Sequence, residues 1–155
     1  MNELRELYQE VILDHGRNPR NFRYIADADG EARGDNPLCG DRVQVFVKRD
    51  EAGRLGDVAF QGHGCAITTA SASMMTELLK GRSEAEARRL FDVFHAVCTD
   101  ETFDPMDVPS EFEDEVDRLQ VMAGVRQFPM RVKCATLPWH TFTAALDGKK
   151  TVTTE

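Results

Sequence analysis

Eight consecutive residues, Gly34-Asp35-Asn36-Pro37-Leu38-Cys39-Gly40-Asp41, constrain this chain more than any other stretch. Proline fixes φ and glycine tolerates φ > 0, so Asn-Pro and Cys-Gly both favour turns. A thiol and a carboxylate two residues apart are thereby held on a tight loop of low hydrophobicity. A cysteine that serves only packing sits more often in an apolar run. Two further cysteines, Cys65 and Cys134, lie just ahead of predicted helices. The pattern is read as Cys39, Asp41, Cys65 and Cys134 converging on one metal ion.

Zinc takes tetrahedral sites built from thiolates, imidazoles and carboxylates, and this set would supply one from three separate places in the chain. No Cys-x-x-Cys pair is present, so spacing alone does not single out a metal site. The weight rests on each cysteine bordering a turn or a helix start, where the helix dipole and free N–H groups favour thiolate. Gly62-His63-Gly64 gives the backbone latitude to aim Cys65, and Arg131-Val132-Lys133 brings positive charge beside Cys134. Zn²⁺ with three thiolates and a carboxylate carries a formal charge of about −2. Arg131 and Lys133 are the nearest candidates to offset it from just outside the ligands.

Blander readings stand beside this one. Asp41 also reads as an ordinary turn residue, and on the residues alone that reading leads. His63, two residues from Cys65, is the best spare ligand. Cys98 sits among Phe91, Phe94 and Val97 and reads as core; His95 shares its face at i, i+3. His15 and His140 read as ordinary helix histidines, and Met74 and Met75 as core. No glycine-rich phosphate loop or Gly-x-Ser-x-Gly elbow occurs.

At 155 residues the chain suggests one domain over 1–147, with 148–155 as a frayed tail lacking apolar periodicity. A net charge of −8 argues against a nucleic-acid partner and suits solubility or a basic protein surface. No apolar run approaches the ~20 residues that span a membrane. Residues 1–5 enter directly into a charged amphipathic pattern rather than a secretory signal. A cytoplasmic, thiol-reducing setting is therefore expected, in which four cysteines point to metal binding or catalysis rather than disulfides.

Periodicity predicts a helix over 3–15, with Leu4, Leu7, Tyr8, Val11 and Ile12 on one face and Gly16 ending it. Val43, Val45 and Val47 alternate through a strand over 42–48, which turns at 50–53 and returns over 55–61. A strand over 30–34 is weakly signalled. Helix follows over 66–79, where Ala and Ser are dense enough for another backbone to approach closely. Ser83 with Glu86 forms a capping box opening a helix towards Cys98, and Ser110 with Glu113 repeats it for a helix reaching Ala123. Residues 99–109 read as a surface loop. A last helix is expected over 134–146, with Pro138 tolerable only near its first turn.

Taken together, Asn36–Asp41, Gly62–Ile67, Ala70–Met75 and Arg131–Ala135 resemble the SufU/IscU family of iron–sulfur cluster assembly proteins, the NifU N-terminal type. Leu7–His15 and Asn18–Asn21 fit it too, so the resemblance spans nearly the whole chain in order. It is nearer the SufU type. Lys133 stands where IscU-type scaffolds carry a histidine, the stretch from Cys65 to Cys134 is longer, and Gln127–Lys133 replaces the IscU Leu-Pro-Pro-Val-Lys motif. The resemblance implies an α+β fold: a small antiparallel sheet of about three strands packed by helices, with a helical insertion between Cys65 and Cys134. It implies zinc on Cys39, Asp41, Cys65 and Cys134. It also implies sulfurtransferase activity, with Cys39 accepting persulfide sulfur from a pyridoxal-phosphate-dependent cysteine desulfurase of the SufS type and downstream iron–sulfur assembly proteins receiving it. The alternative it carries is a scaffold holding a transient iron–sulfur cluster on the same three thiolates.

Overall fold

Strand β2 (Asp41–Arg49) is the centre of the sheet, because its sequence can be buried on both faces. Val45 and Val47 point one way into the main core, with buried Val43 on the same face, while Phe46 points the other way against Ile25 and Ala59. It pairs antiparallel with β1 (Gly30–Asn36) on one side and β3 (Leu55–His63) on the other. The computed structural model describes residues 2–154. Around the sheet run helices α1 (Asn2–Arg17), α2 (Ala66–Leu79), α3 (Glu84–Thr99), α4 (Glu113–Leu119) and α5 (Pro129–Leu146). The result is the α+β fold expected, with a mostly antiparallel sheet packed by helices.

Several elements differ from expectation. A fourth strand, β4 (Thr151–Thr153), adds to β1 in parallel and gives the order β3-β2-β1-β4. The described part of 148–155 is not frayed but anchored through backbone hydrogen bonds to the open edge of β1, which need no apolar periodicity. Glu155 lies outside the described residues. Helix α1 runs through Gly16, and of its expected apolar face Tyr8, Val11 and Ile12 pack on the core while Leu7 is exposed. Leu4's side chain lies outside the described residues.

Ser83 and Glu86 form the predicted capping box of α3, both halves being present. Ser110 does not repeat it. It opens a 3₁₀ turn over Ser110–Phe112, α4 begins without a side-chain cap, and the chain tightens again to 3₁₀ over Gln120–Gln127. Helix α5 starts at Pro129 instead of Cys134, so Pro138 falls in its interior. Proline has no N–H for the carbonyl four residues earlier, which is that of Cys134.

Helices α2 and α5 pack closely because α2 presents Ala70, Ser71 and Ala72, all buried. The Ser71 hydroxyl donates to the Ala135 carbonyl of α5. His15 of α1 is buried and bonds Ser73 Oγ at 2.7 Å, tying α1 to α2. In the core, Trp139 is fully buried and stacks on Phe94 with ring centroids 4.7 Å apart. Helix α5 also lies tightly on β1. A Cβ at Gly34 would run into the Thr141 hydroxyl and lie 3.0 Å from Leu137 Cδ1.

Gly34→Ala is therefore expected to cost about 1–3 kcal/mol by overpacking. Thermal melts followed by circular dichroism should show Tm lower by roughly 2–10 °C. Gly124→Ala, where a Cβ meets nothing within 4 Å, should leave Tm unchanged or slightly raised.

Candidate metal centre

The turn between β1 and β2 is built by the opening motif. Cys39 N–H donates to the Asn36 carbonyl at 3.2 Å, and Gly40 takes φ +71°, a left-handed conformation that favours glycine. Cys39 is thereby left exposed at the turn, while Asp41, the first residue of β2, is 2% exposed. Beyond β3, Cys65 is the N-cap of α2, with φ −69° and ψ 169°; its sulfur accepts from the Thr68 N–H at 3.5 Å. Cys134 arrives from α5 and is buried. It sits in the second turn of that helix rather than ahead of its start, so packing of α5 rather than a helix dipole places its sulfur.

Asp41 links these pieces. Its Oδ1 accepts the Cys65 N–H at 2.9 Å and its Oδ2 accepts the Thr68 hydroxyl at 2.8 Å. Gly64 is required for this approach, since a Cβ there would lie 2.7 Å from Asp41 Oδ1. One donor atom each from Cys39, Asp41 and Cys134 lies within 4.8 Å of the others. Cys65 Sγ is outside that mutual group and lies 3.4 Å from the Thr68 hydroxyl. With Zn–S near 2.3 Å, tetrahedral geometry puts two ligand sulfurs about 3.8 Å apart. The donor chemistry and the spacing of the three-residue group fit zinc after a small contraction.

The Cys65 and Cys134 thiols shift each other's acidity in opposite directions. The neighbouring Cys134 thiol pulls the Cys65 thiol down to about 5, against burial and with help from the Thr68 hydroxyl and N–H. Cys134 moves strongly upward in return, from Cys65 first and then from burial and Asp41. The α2 terminus is prepared for an anion: its first turn carries no acidic side chain. Cys98 is different. Burial raises it to about 12, and it belongs to the core.

Arg131 is exposed, with its guanidinium 4.4 Å from the Phe128 ring centroid. Lys133 lines a groove between α5 and β4 with Thr136 and His140. Among the described residues, the groups that hydrogen-bond the donor atoms are Asn36, Thr68 and the Cys65 N–H. Asn36 is fully buried and donates from Nδ2 to Cys134 Sγ at 3.6 Å. His63 is exposed beside the centre, in an open cleft with Pro37, Asp41 and Arg42. Arg42 itself is paired with Asp35 at 2.8 Å. Thr68 was legible in principle, being three residues past an N-cap; nothing local marks Asn36.

Residues 7–135 match the family described as NifU-like N terminal domain. The chain belongs to that family. Within it, the chain is 36% identical over 146 residues to the iron–sulfur cluster assembly scaffold protein IscU of Streptococcus pyogenes serotype M1, covering 94% of this chain and 86% of that one. It is 38% identical over 135 residues to the zinc-dependent sulfurtransferase SufU of Bacillus subtilis strain 168, covering 86% and 84%. A crystal structure of a candidate iron–sulfur cluster assembly scaffold protein for the SUF system, from Fervidobacterium islandicum AW-1, superposes with TM-score 0.78 at 32% identity. That match covers 91% of this chain and 97% of the other. NifU-family membership thus agrees with the resemblance read from the motifs. No helix among the described residues is long and apolar enough to cross a membrane.

In the metal-free protein, iodoacetamide labelling followed by peptide mass spectrometry should modify Cys65 readily at pH 7. Its rate should fall only as pH drops through about 5, where the thiolate takes up its proton. Cys98 should stay unlabelled at pH 8 until the protein is unfolded.

Proposed function

We propose that this chain is an iron–sulfur cluster assembly factor that holds zinc through Cys39, Asp41, Cys65 and Cys134 and accepts persulfide sulfur at Cys39. The observation that carries this reading is an asymmetry in the donor group: Asp41 and Cys134 are buried and pinned, Cys65 is exposed but tied to Asp41 through its N–H, and Cys39 is exposed on a turn. The SufU relative, a zinc-dependent sulfurtransferase by name, supports it. Zinc, when bound, keeps its sulfur ligands deprotonated and brings no redox chemistry of its own.

The remaining steps belong to the chain. Asp41, held by Thr68 and the Cys65 N–H, keeps its place while Cys39 moves with the 37–40 turn. The Cys39 thiolate attacks the outer sulfur of a persulfide on the partner's cysteine. The new S–S bond forms as the old one breaks, its electron pair leaving on the partner's thiolate. Cys39 then carries the persulfide, and no external oxidant or reductant is consumed. The donor is a pyridoxal-phosphate-dependent cysteine desulfurase of the SufS type, and downstream iron–sulfur assembly proteins take the sulfur on. Exposed Leu38, Phe128 and Met130 supply apolar contact area; Leu38 adjoins Cys39, and the other two precede and open α5.

A second reading is favoured by the Streptococcus relative, a scaffold by name. Thiolate-rich tetrahedral sites accept iron as well as zinc, so an iron–sulfur cluster could be built as cargo on the same cysteines.

Incubating zinc-loaded protein with a persulfide-charged desulfurase, without oxygen, tests the proposal. Mass spectrometry should find the added sulfur on Cys39, and Cys39→Ala should abolish acceptance while remaining folded. Full acceptance by Cys39→Ala would overturn the role of Cys39. A brown protein holding iron and sulfide would favour the scaffold reading.

A further inference from the structure

The C-terminal end of the described chain reaches the metal centre. Arg33, Gly34 and Asp35 of β1 pair with Thr151, Val152 and Thr153 of β4. The register is secured at either end, by Arg33 N–H to the Lys150 carbonyl at 2.9 Å and Thr154 N–H to the Asp35 carbonyl at 3.1 Å. This pairing carries Thr154 to the side chain of Asn36, 118 residues earlier, and the Thr154 hydroxyl donates to Asn36 Oδ1 at 2.9 Å. The other end of the same amide donates from Nδ2 to Cys134 Sγ at 3.6 Å.

An asparagine amide has an accepting end and a donating end, and which faces the sulfur decides whether it helps or opposes a thiolate. Because Thr154 occupies the oxygen, the NH₂ is directed at Cys134. Asn36 is fully buried, so without Thr154 its oxygen would lose that partner where water cannot readily replace it. Hydrogen bonds from outside a ligand set orient the ligand and offset its charge. We propose that Thr154 is a positioning residue: by fixing the Asn36 amide it holds the donor on Cys134, and the C-terminal strand thereby controls how firmly the centre keeps its metal. This rests on the reading of Cys134 as a ligand.

Four variants test it: Thr154→Val, Thr154→Ser, Asn36→Ala and Cys134→Ser. Zinc release into a chromogenic chelator is timed for each, and side-chain amide NMR signals of ¹⁵N-labelled protein are recorded with and without zinc. Thr154→Val should release zinc about 3–10 times faster, the worth of one hydrogen bond. Thr154→Ser, which keeps the hydroxyl, should return it to near the wild-type rate. Asn36→Ala should weaken zinc binding by roughly 10–100-fold. In Thr154→Val the Asn36 amide signals should shift and exchange faster with water while the backbone signals of β4 stay in place, which a general loosening of the strand would not produce. Wild-type zinc release and unchanged Asn36 signals in Thr154→Val would overturn the proposal. Wild-type zinc retention by Cys134→Ser would instead overturn the ligand reading and, with it, control of the metal by the strand; the metal-free amide signals report the Thr154–Asn36 bond in either case.

Discussion

The buried carboxylate of Asp41 is the interaction on which the site depends. A carboxylate removed from water must be hydrogen-bonded or paired, or it is strongly destabilising. Here one oxygen takes the Cys65 N–H and the other the Thr68 hydroxyl, so the start of β2 is tied to the N-terminus of α2. That tie sets Cys65 and Asp41 relative to each other before any metal arrives. It also explains why Gly64 stands where it does, since any side chain there would push the carboxylate away.

The other half of the centre comes from the far side of the core. Cys134 is carried by α5, which is anchored through Trp139, Phe142 and the close approach to β1 at Gly34. Small residues on α2 allow this: the Ser71 hydroxyl meets the Ala135 carbonyl one residue beyond Cys134. Packing therefore brings two sulfurs near each other, with the Cys65 thiol lowered and the Cys134 thiol raised. A metal dication at the proposed centre would favour the thiolate form of both. Cys39 is the donor least fixed by this scaffold. Buried Asp41 and Cys134, a helix-capping Cys65 and an exposed, turn-borne Cys39 suit the proposed centre, in which one sulfur is surrendered to chemistry.

Much of this was legible in the sequence, for reasons that can be named. The valine alternation of β2 and the Ser83–Glu86 capping box are local patterns, and α2 and α3 follow them residue by residue. Convergence of Cys39, Asp41 and Cys134 was read from turn chemistry and family motifs, and the geometry brings these three together. Three features were not readable. The start of α5 was hidden because Pro138 looks like a boundary, although burial of Thr136, Leu137 and Trp139 holds it within a helix. Strand β4 has no apolar pattern; the free edge of β1 creates it. Asn36 and its partner Thr154 lie 118 residues apart, and no window-based signal spans that distance. Lys133, next to Cys134 in sequence, sits at a different angle around α5, and Arg131, one turn before Cys134, has its guanidinium over the Phe128 ring.

X-ray absorption at the zinc edge, on protein loaded with one zinc per chain, tests the central claim most directly. The account predicts three sulfur scatterers near about 2.3 Å and one oxygen at about 2.0–2.2 Å. Loss of one sulfur on Cys65→Ser would show that Cys65 joins the other three ligands when metal binds. Two sulfurs with additional nitrogen or oxygen, unchanged by Cys65→Ser, would contradict the four-residue centre.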